Sequence, residues 1–433
     1  MSATDTSGNR GGKTGGGVRT DLRRTLERLA ALDASVEAPY LTATVSWQHG
    51  AEQPGRRSGP DEFAQAAARM VDGPKGRGEA TTSLQADIDK VMAYLENDTP
   101  DEAQGIVFVA CDALGVFEAI PLGVEVETTV AVGPTPVLTE LARTMEEHAT
   151  YAVIQVDQRE AKMAYISQGR TRRTVDMRGK HTTTSEGEGG WSTSRNQDRA
   201  EEQVDQFFSA VAERVREALQ GPARRDTMLV LAGEDRATNA LRNALHTSIQ
   251  DRVIGSVNLE MRSSAAEVVE ASQPMIDAAE REREMRAVTD ARDNAGSGGA
   301  GATGPEDTLT ALQTGQVLTL VMNDDFEADG WADYSMATFG LGDVPDSHPL
   351  AGDPANLTPV QLSAEMVRLA IQSDAEIEIV RTEVPVSMDD QMDIPEAGAE
   401  RPRSEAAMAL DEFGGVAAVL RFGLDADQST ANL

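Results

Sequence analysis

The residues best suited to chemistry lie in one polar stretch, Met177 to Gln197, which reads MRGKHTTTSEGEGGWSTSRNQ. It is rich in Gly, Ser and Thr and nearly free of aliphatic side chains. A loop of this length inside a compact domain is usually functional or lacks fixed structure. Gly189 and Gly190 reach backbone conformations closed to other residues, so the chain can approach another surface closely. Trp191, between glycine and Ser192, has no local core to enter. Stacking on a nucleic-acid base would satisfy it, and so would folding back onto its own domain. Just upstream, Arg170, Arg172, Arg173, Arg178 and Lys180 face only Asp176 between Arg170 and His181, a local charge of +4. Such a cluster suits a phosphate backbone. A solvated hairpin whose arginines pair with neighbouring acids is the other reading of the same charges.

Other constellations carry less. Asp157 could open a two-metal nuclease site, but that chemistry needs several converging carboxylates. Glu160, Asp176 and Glu234 have no spacing that singles them out among 72 acids. The acidic run Asp324–Asp333 (DDFEADGWAD) lacks EF-hand spacing and reads as a solvated loop. Histidines at 49, 148, 181, 246 and 348 make no metal-ligand spacing. Cys111 is the only cysteine, which excludes an intramolecular disulfide and a Cys-based zinc site. Its apolar run, GIVFVAC, predicts a core position. No metal and no other cofactor is expected.

The elements that must position the loop alternate between helix and strand, which predicts an α/β protein of three domains. The first, residues 19–147, reads as a helix near 19–32 with Leu22, Leu26 and Leu29 on one face, then a strand Tyr40–Trp47. Helices near 60–71 and 82–96 follow, then strands Gly105–Cys111, Gly115–Ile120 and Val124–Val132. Residues 148–293 open with a hairpin, Tyr151–Val156 and Ala161–Gln168. After the polar loop come a long helix from about Asn196 to Leu219, a strand Thr227–Ala232, a helix at 236–246 and a charged helix near 263–292. A linker at Asn294–Pro305 (NAGSGGAGATGP) leads to residues 306–433. That domain reads as helices at 306–313 and 358–371 and strands Val317–Met322, Ile377–Arg381 and Val416–Phe422. Residues 1–18 read as a tail.

The net charge is −33, and 34 of the 39 bases are arginine. Such acidity suggests a proteome adapted to high salt. There an acidic balance does not exclude nucleic acid, and the binding face must be a local departure from the background. Residues 1–147 carry 23 acids and 13 bases, residues 148–293 carry 24 and 21, and residues 294–433 carry 25 and 5. The middle domain is therefore the departure. No window approaches the roughly 20 apolar residues of a membrane span, and the first residues hold no apolar signal core. A cytoplasmic protein with no membrane partner is expected.

These motifs resemble a known family. GKH followed by GGWSTSR and a long helix is similar to the central domain of the archaeal and eukaryotic peptide chain release factors, which carry Lys-Lys-His-Gly-x-Gly-Gly-Gln-Ser-Ala-x-Arg at this place. The match falls on Lys180, His181, Gly189, Gly190, Ser192 and Arg195. A bacterial and archaeal branch commonly reads Gly-Gly-Trp-Ser-Gln, which matches Trp191. Phe413–Phe422 (FGGVAAVLRF) resembles the close of the family's third domain, and Asp307–Leu320 (DTLTALQTGQVLTL) its opening. APYLTATV and VFEAIPL resemble the first domain of the bacterial branch. The likeness spans about residues 20–425.

The resemblance implies an RNase H-like central domain and a third domain of the three-layer α/β fold of ribosomal protein L7Ae. It implies entry into the ribosomal A site, with the Gly-Gly-Trp loop at the peptidyl transferase centre beside rRNA and P-site tRNA. It also implies a translational GTPase or other partner on the third domain. Lys75–Gln85 (KGRGEATTSLQ) lacks the Asn-Ile-Lys-Ser motif of stop-codon readers, so codon reading is not expected. The family's catalytic glutamine orients water against the peptidyl-tRNA ester. Here Trp191 holds the family position and Thr193 the branch position, while Gln197 lies further on. Gly189, Gly190, Trp191, Ser192 and Thr193 are thus the candidate catalytic loop. Arg170, Arg172, Arg173, Arg178, Lys180, His181 and Arg195 are the candidate RNA contacts. The missing glutamine favours ribosome occupancy, as in hibernation, over rescue by peptidyl-tRNA hydrolysis. An acidic protein-interaction module with no ribosomal role is the alternative from another class.

Overall fold

The structure is a computed structural model and describes residues 16–47, 58–71, 79–101, 103–147, 151–167, 170–177, 193–220, 227–296, 299–345, 348, 357–383 and 402–422. The chain forms two compact units. Met1–Arg23 and His148–Ala279 make one, and Arg24–Glu147 and Glu280–Leu433 the other.

The N-terminal domain contains α1 (Gly16–Ala30), β1 (Tyr40–Ser46), α2 (Gly59–Val71), α3 (Glu79–Asn97), β2 (Gly105–Cys111), β3 (Val116–Leu122), β4 (Thr129–Gly133) and α4 (Thr139–Glu147). Its antiparallel sheet has the order β3-β2-β1-β4. Strand β2 is buried along its whole length, so it reads as a continuous apolar run without alternation. Phe63, Ala67, Leu84, Ile88, Val91 and Leu95 of α2 and α3 cover one face of the sheet. Cys111 is fully buried, and its thiol donates to the Ala38 carbonyl. Burial pushes that thiol up. The strand expected from Val124 begins only at Thr129. Val124 and Val126 are instead buried, and the Val126 side chain and the Val124 carbonyl lie over Gly105, where a β-carbon would clash.

One carboxyl in this domain is out of place. Asp87 of α3 is fully buried, and neither of its oxygens makes a well-formed hydrogen bond. Lys90, one turn on, donates to Asp112 instead, at 2.6 Å. Burial raises the Asp87 carboxyl to about 6, and the Asp112 backbone and Lys90 offset this only in part. A carboxyl raised in the folded state contributes fully below its unfolded value near 3.8, and stability is lost as pH rises through about 6. Asp87→Asn should therefore stabilise the domain, with an advantage that grows by about 1 kcal/mol between pH 5 and pH 8. Urea melts at the two pH values check this. An advantage that shrinks with rising pH would contradict it.

The central domain contains β5 (Tyr151–Val156), β6 (Ala161–Ser167), β7 (Arg170–Asp176), α5 (Thr193–Ala218), β8 (Leu229–Ala232), α6 (Asp235–Ala244), α7 (Thr247–Gln250), β9 (Val253–Val257) and the first half of α8 (Ala265–Gly296). The sheet order is β7-β6-β5-β8-β9. The first three strands form an antiparallel meander, and β8 and β9 run parallel to β5. This order, 3-2-1-4-5 within the domain, is that of an RNase H-like sheet. Phe207, Phe208, Val211 and Val215 of α5 and Leu241 of α6 cover one face. Val268 and Ile276 of α8 cover the other with Tyr151, Val153 and Val230.

The C-terminal domain contains the rest of α8, then β10 (Gly301–Thr303), α9 (Pro305–Gln313), β11 (Val317–Asn323), β12 (Asp329–Asp333), β13 (Thr338–Leu341), β14 (Thr358–Gln361), α10 (Leu362–Gln372), β15 (Glu376–Val380), α11 (Glu405–Asp411) and β16 (Val416–Leu420). Its main sheet, β10-β16-β11-β15, lies between two helical layers. Val288 and Ala291 of α8 and Ala407 and Leu410 of α11 pack on one face, and α9 and α10 on the other. A second sheet has the order β13-β12-β14. Gly414 and Gly415 of the FGGVAAVLRF motif have φ of +75° and +84°. They turn the chain from α11 into β16, through backbone bonds from Gly414 to Asp411 and from Gly415 to Leu410.

Three expectations are corrected here. The expected linker Asn294–Pro305 contains the end of α8 and strand β10, which pairs with β16. Gly301 fits only because it lacks a side chain, since a β-carbon would meet the backbone of Ala291 and Ala295. The run Asp324–Asp333, expected to be a solvated loop, ends in β12, where Trp331, Ala332 and Asp333 are buried. Asp333 accepts from the Ser335 amide at 2.9 Å, the Ser335 hydroxyl at 2.6 Å and the Met336 amide, closing the turn into β13. Those bonds, the hydroxyl's first, hold its carboxyl low. The helix expected from 358 begins at Leu362, after β14.

Candidate nucleic-acid interface

The basic stretch upstream of the Gly-Gly-Trp loop is a strand. RTRRTVD forms β7, an edge strand paired only with β6 among the described residues. Sequence reading assigned no strand to this stretch, because its arginine and aspartate side chains mask the β-branched Thr171, Thr174 and Val175. The register shifts between Tyr165, opposite Arg173, and Ile166, opposite Thr171. Arg172 is therefore the bulged residue, outside the pairing. Bulges of this kind gather at sheet edges and re-aim side chains. The bulge gives Arg170 and Arg173, rather than Arg170 and Arg172, equivalent positions in the pleat. Arg173 is exposed, and Val175 on the same side packs into the core under α5.

The partner strand β6 is fixed to the helix beyond the loop. The Tyr165 hydroxyl donates to the Ala218 carbonyl at the end of α5, at 2.8 Å. Helix α5 has 26 residues, a rod about 39 Å long. Its far end begins at Thr193, three residues earlier than expected, so Thr193 and Arg195 lie in its first turn and Gln197 inside the helix. Backbone N–H groups of a first turn have no intrahelical acceptor and favour negative charge. Gly189, Gly190, Trp191, Ser192, Arg178, Lys180 and His181 lie outside the described residues. Of the stretch 75–85, residues 79–85 are the first turns of α3.

Other candidate groups have structural duties. Asp157 accepts from the Arg159 and Glu160 amides at 2.7 and 2.6 Å, closing the β5–β6 turn. Lys162 of β6 donates to the Met261 carbonyl at 3.1 Å. No cluster of three or more potential metal ligands occurs among the described residues. No helix among them is long and apolar enough to cross a membrane.

Residues 294–433 have few bases to offer a phosphate. Arg368 pairs with Glu365, Arg381 with Glu280 and Glu284, and Arg403 with Asp325 and Asp411. Arg421 donates to the Ser373 and Asp374 carbonyls. The fifth base of residues 294–433, Arg401, lies outside the described residues. Sequence counts showed the scarcity of these bases, but not their engagement.

No curated protein matches the chain. Among solved structures, archaeal translation termination factor aRF1 is 17% identical, with 93% of this chain and 98% of that one covered and a TM-score of 0.23. Pelota of Archaeoglobus fulgidus is 14% identical over 74% and 80%, with a TM-score of 0.32. A ribosome-bound archaeal Pelota, described with ABCE1, is 13% identical over 94% and 95%, with a TM-score of 0.39. Residues 136–276, which include β7, the loop and α5, match the family described as Bacterial archaeo-eukaryotic release factor family 10. The likeness to that family lies in this central segment.

Proposed function

We propose that the chain is a ribosome-associated, release-factor-like protein that occupies the A site without reading a codon. One observation carries the reading. A bulged, arginine-bearing edge strand leads directly into the Gly-Gly-Trp loop, within the segment that matches the release-factor family. The central domain would approach rRNA and P-site tRNA through Arg170, Arg172, Arg173, Arg178, Lys180, His181 and Arg195. The loop Gly189–Thr193 would enter the peptidyl transferase centre. In this reading α5 is the rod that carries the loop away from the sheet.

Hydrolysis of peptidyl-tRNA needs a water held against the ester carbonyl carbon and donors for the oxyanion that forms as it attacks. Backbone amides of the loop and of the first turn of α5 would supply the donors. The water-positioning glutamine has no counterpart, since Thr193 stands in its place. Occupancy, as in hibernation, is therefore favoured over rescue. The C-terminal domain, where Arg368, Arg381, Arg403 and Arg421 are engaged by acids and carbonyls, would take a protein partner with a basic face, and a translational GTPase is the one the family resemblance suggests.

The test is co-sedimentation of the full chain with ribosomes through sucrose, over a KCl series starting at the lowest salt at which the protein is folded. Binding with a salt dependence is expected. A chain left at the top of the gradient at every salt would overturn the reading.

A further inference from the structure

Within the larger unit, one buried carboxylate joins two domains. Glu365 of α10 is 3% exposed. It accepts from Thr135 Oγ1 at 2.5 Å, in the approach to α4 of the N-terminal domain. It also accepts from the Tyr334 hydroxyl at 2.7 Å and from Arg368 Nε at 2.9 Å, both in its own domain. Arg368, also buried, donates its Nη1 to the carbonyl of Ala30 at the end of α1, and Gln372 Nε2 reaches the same carbonyl at 2.7 Å. Around these bonds α4 packs on α10 and β15, with Leu138, Leu141 and Ala142 buried.

A buried carboxylate that loses one of several partners is left with an uncompensated charge, so such a network closes as a whole or not at all. Burial, and then the Glu365 charge, push the Tyr334 phenol far above its usual range, so it remains a donor at every working pH. The Ala30 carbonyl is a helix-end acceptor that α1 cannot satisfy itself, and both of its donors come from α10.

We infer that the N-terminal and C-terminal domains are a single cooperative body keyed by Glu365, so that a partner docked on the C-terminal domain acts on both. The inference is independent of the ribosomal reading. It requires that damage in the C-terminal core open the N-terminal domain.

Cys111 reports that opening, because it is the only thiol and is fully buried in the N-terminal sheet. The experiment is pulse labelling of Cys111 with a maleimide across a urea series, in the full chain. It is read in the range where labelling rises with urea, so that global opening exposes the thiol. Leu410→Ala removes a buried side chain of the C-terminal core, in a cluster with no N-terminal member. It should raise Cys111 labelling at least about thirtyfold at fixed urea. Tyr334→Phe, which removes a single donor to Glu365, should shift labelling in the same direction by less. Hydrogen exchange at Leu320–Met322 should shift with the thiol in both variants. If C-terminal exchange quickens while Cys111 labelling stays at the wild-type rate, the two domains open separately and the inference fails.

Discussion

Reversal of Arg172, Arg173 and Lys180 to Glu together is expected to weaken ribosome binding at least about a hundredfold at low salt. The slope of binding against salt should fall by about 2 to 3, one for each phosphate that is no longer neutralised. The effect is large because the surrounding chain gives no reserve. With a net charge of −33, added carboxylates on the main basic stretch of the middle domain leave little there to oppose repulsion from phosphate. The fold should survive. Arg173 is exposed, and Arg172 is the bulged residue that takes no part in the β6–β7 pairing. Far-ultraviolet circular dichroism of the variant should match the wild type. A triple variant that binds with wild-type affinity and slope would remove β7 and its following loop from the interface.

The second large effect is a gain. Thr193→Gln should release peptide from P-site peptidyl-tRNA at least about a hundredfold faster than the wild type. Loss of one positioning or oxyanion group typically costs about 10²–10³ in rate, and this substitution restores one. Thr193 is the first residue of α5, and a glutamine there reaches two bonds further than the threonine hydroxyl. The readout is single-turnover release of labelled peptide at saturating protein, so that binding does not enter the rate. Equal, fast release by both proteins would assign the water to another group, with Gln197 and Ser192 the first to replace. No release by either, with binding intact, would leave occupancy without latent hydrolysis.

The alternation of helix and strand was legible in the sequence because long apolar runs such as GIVFVAC and the α5 stripe keep their periods. The Gly-Gly turn before β16 was legible as a motif, although its reason, two consecutive positive φ angles, appears only in the structure. What escaped reading was short or carried misleading composition. Strand β7 hid behind its charges, and β10 hid in a Gly/Ala-rich segment where close approach to α8 demands small residues. Strand β12 hid in an acidic run whose Asp333 is buried by serving a turn. Helix α8 reads as charged along its length because its two halves bury side chains in different cores. Asp87 and Glu365 look like any of the 72 acids, and only burial separates them from the rest.

A-site occupancy without codon reading can be measured as competition with aminoacyl-tRNA. Ribosomes carrying P-site peptidyl-tRNA are programmed with a sense codon, a stop codon or no codon in the A site, and saturated with the full chain. Where a sense codon is present, binding of the cognate aminoacyl-tRNA is measured on filters, and protein affinity is measured on all three. The protein should block aminoacyl-tRNA and bind the three complexes with equal affinity. Undiminished tRNA binding at saturating protein would contradict A-site occupancy.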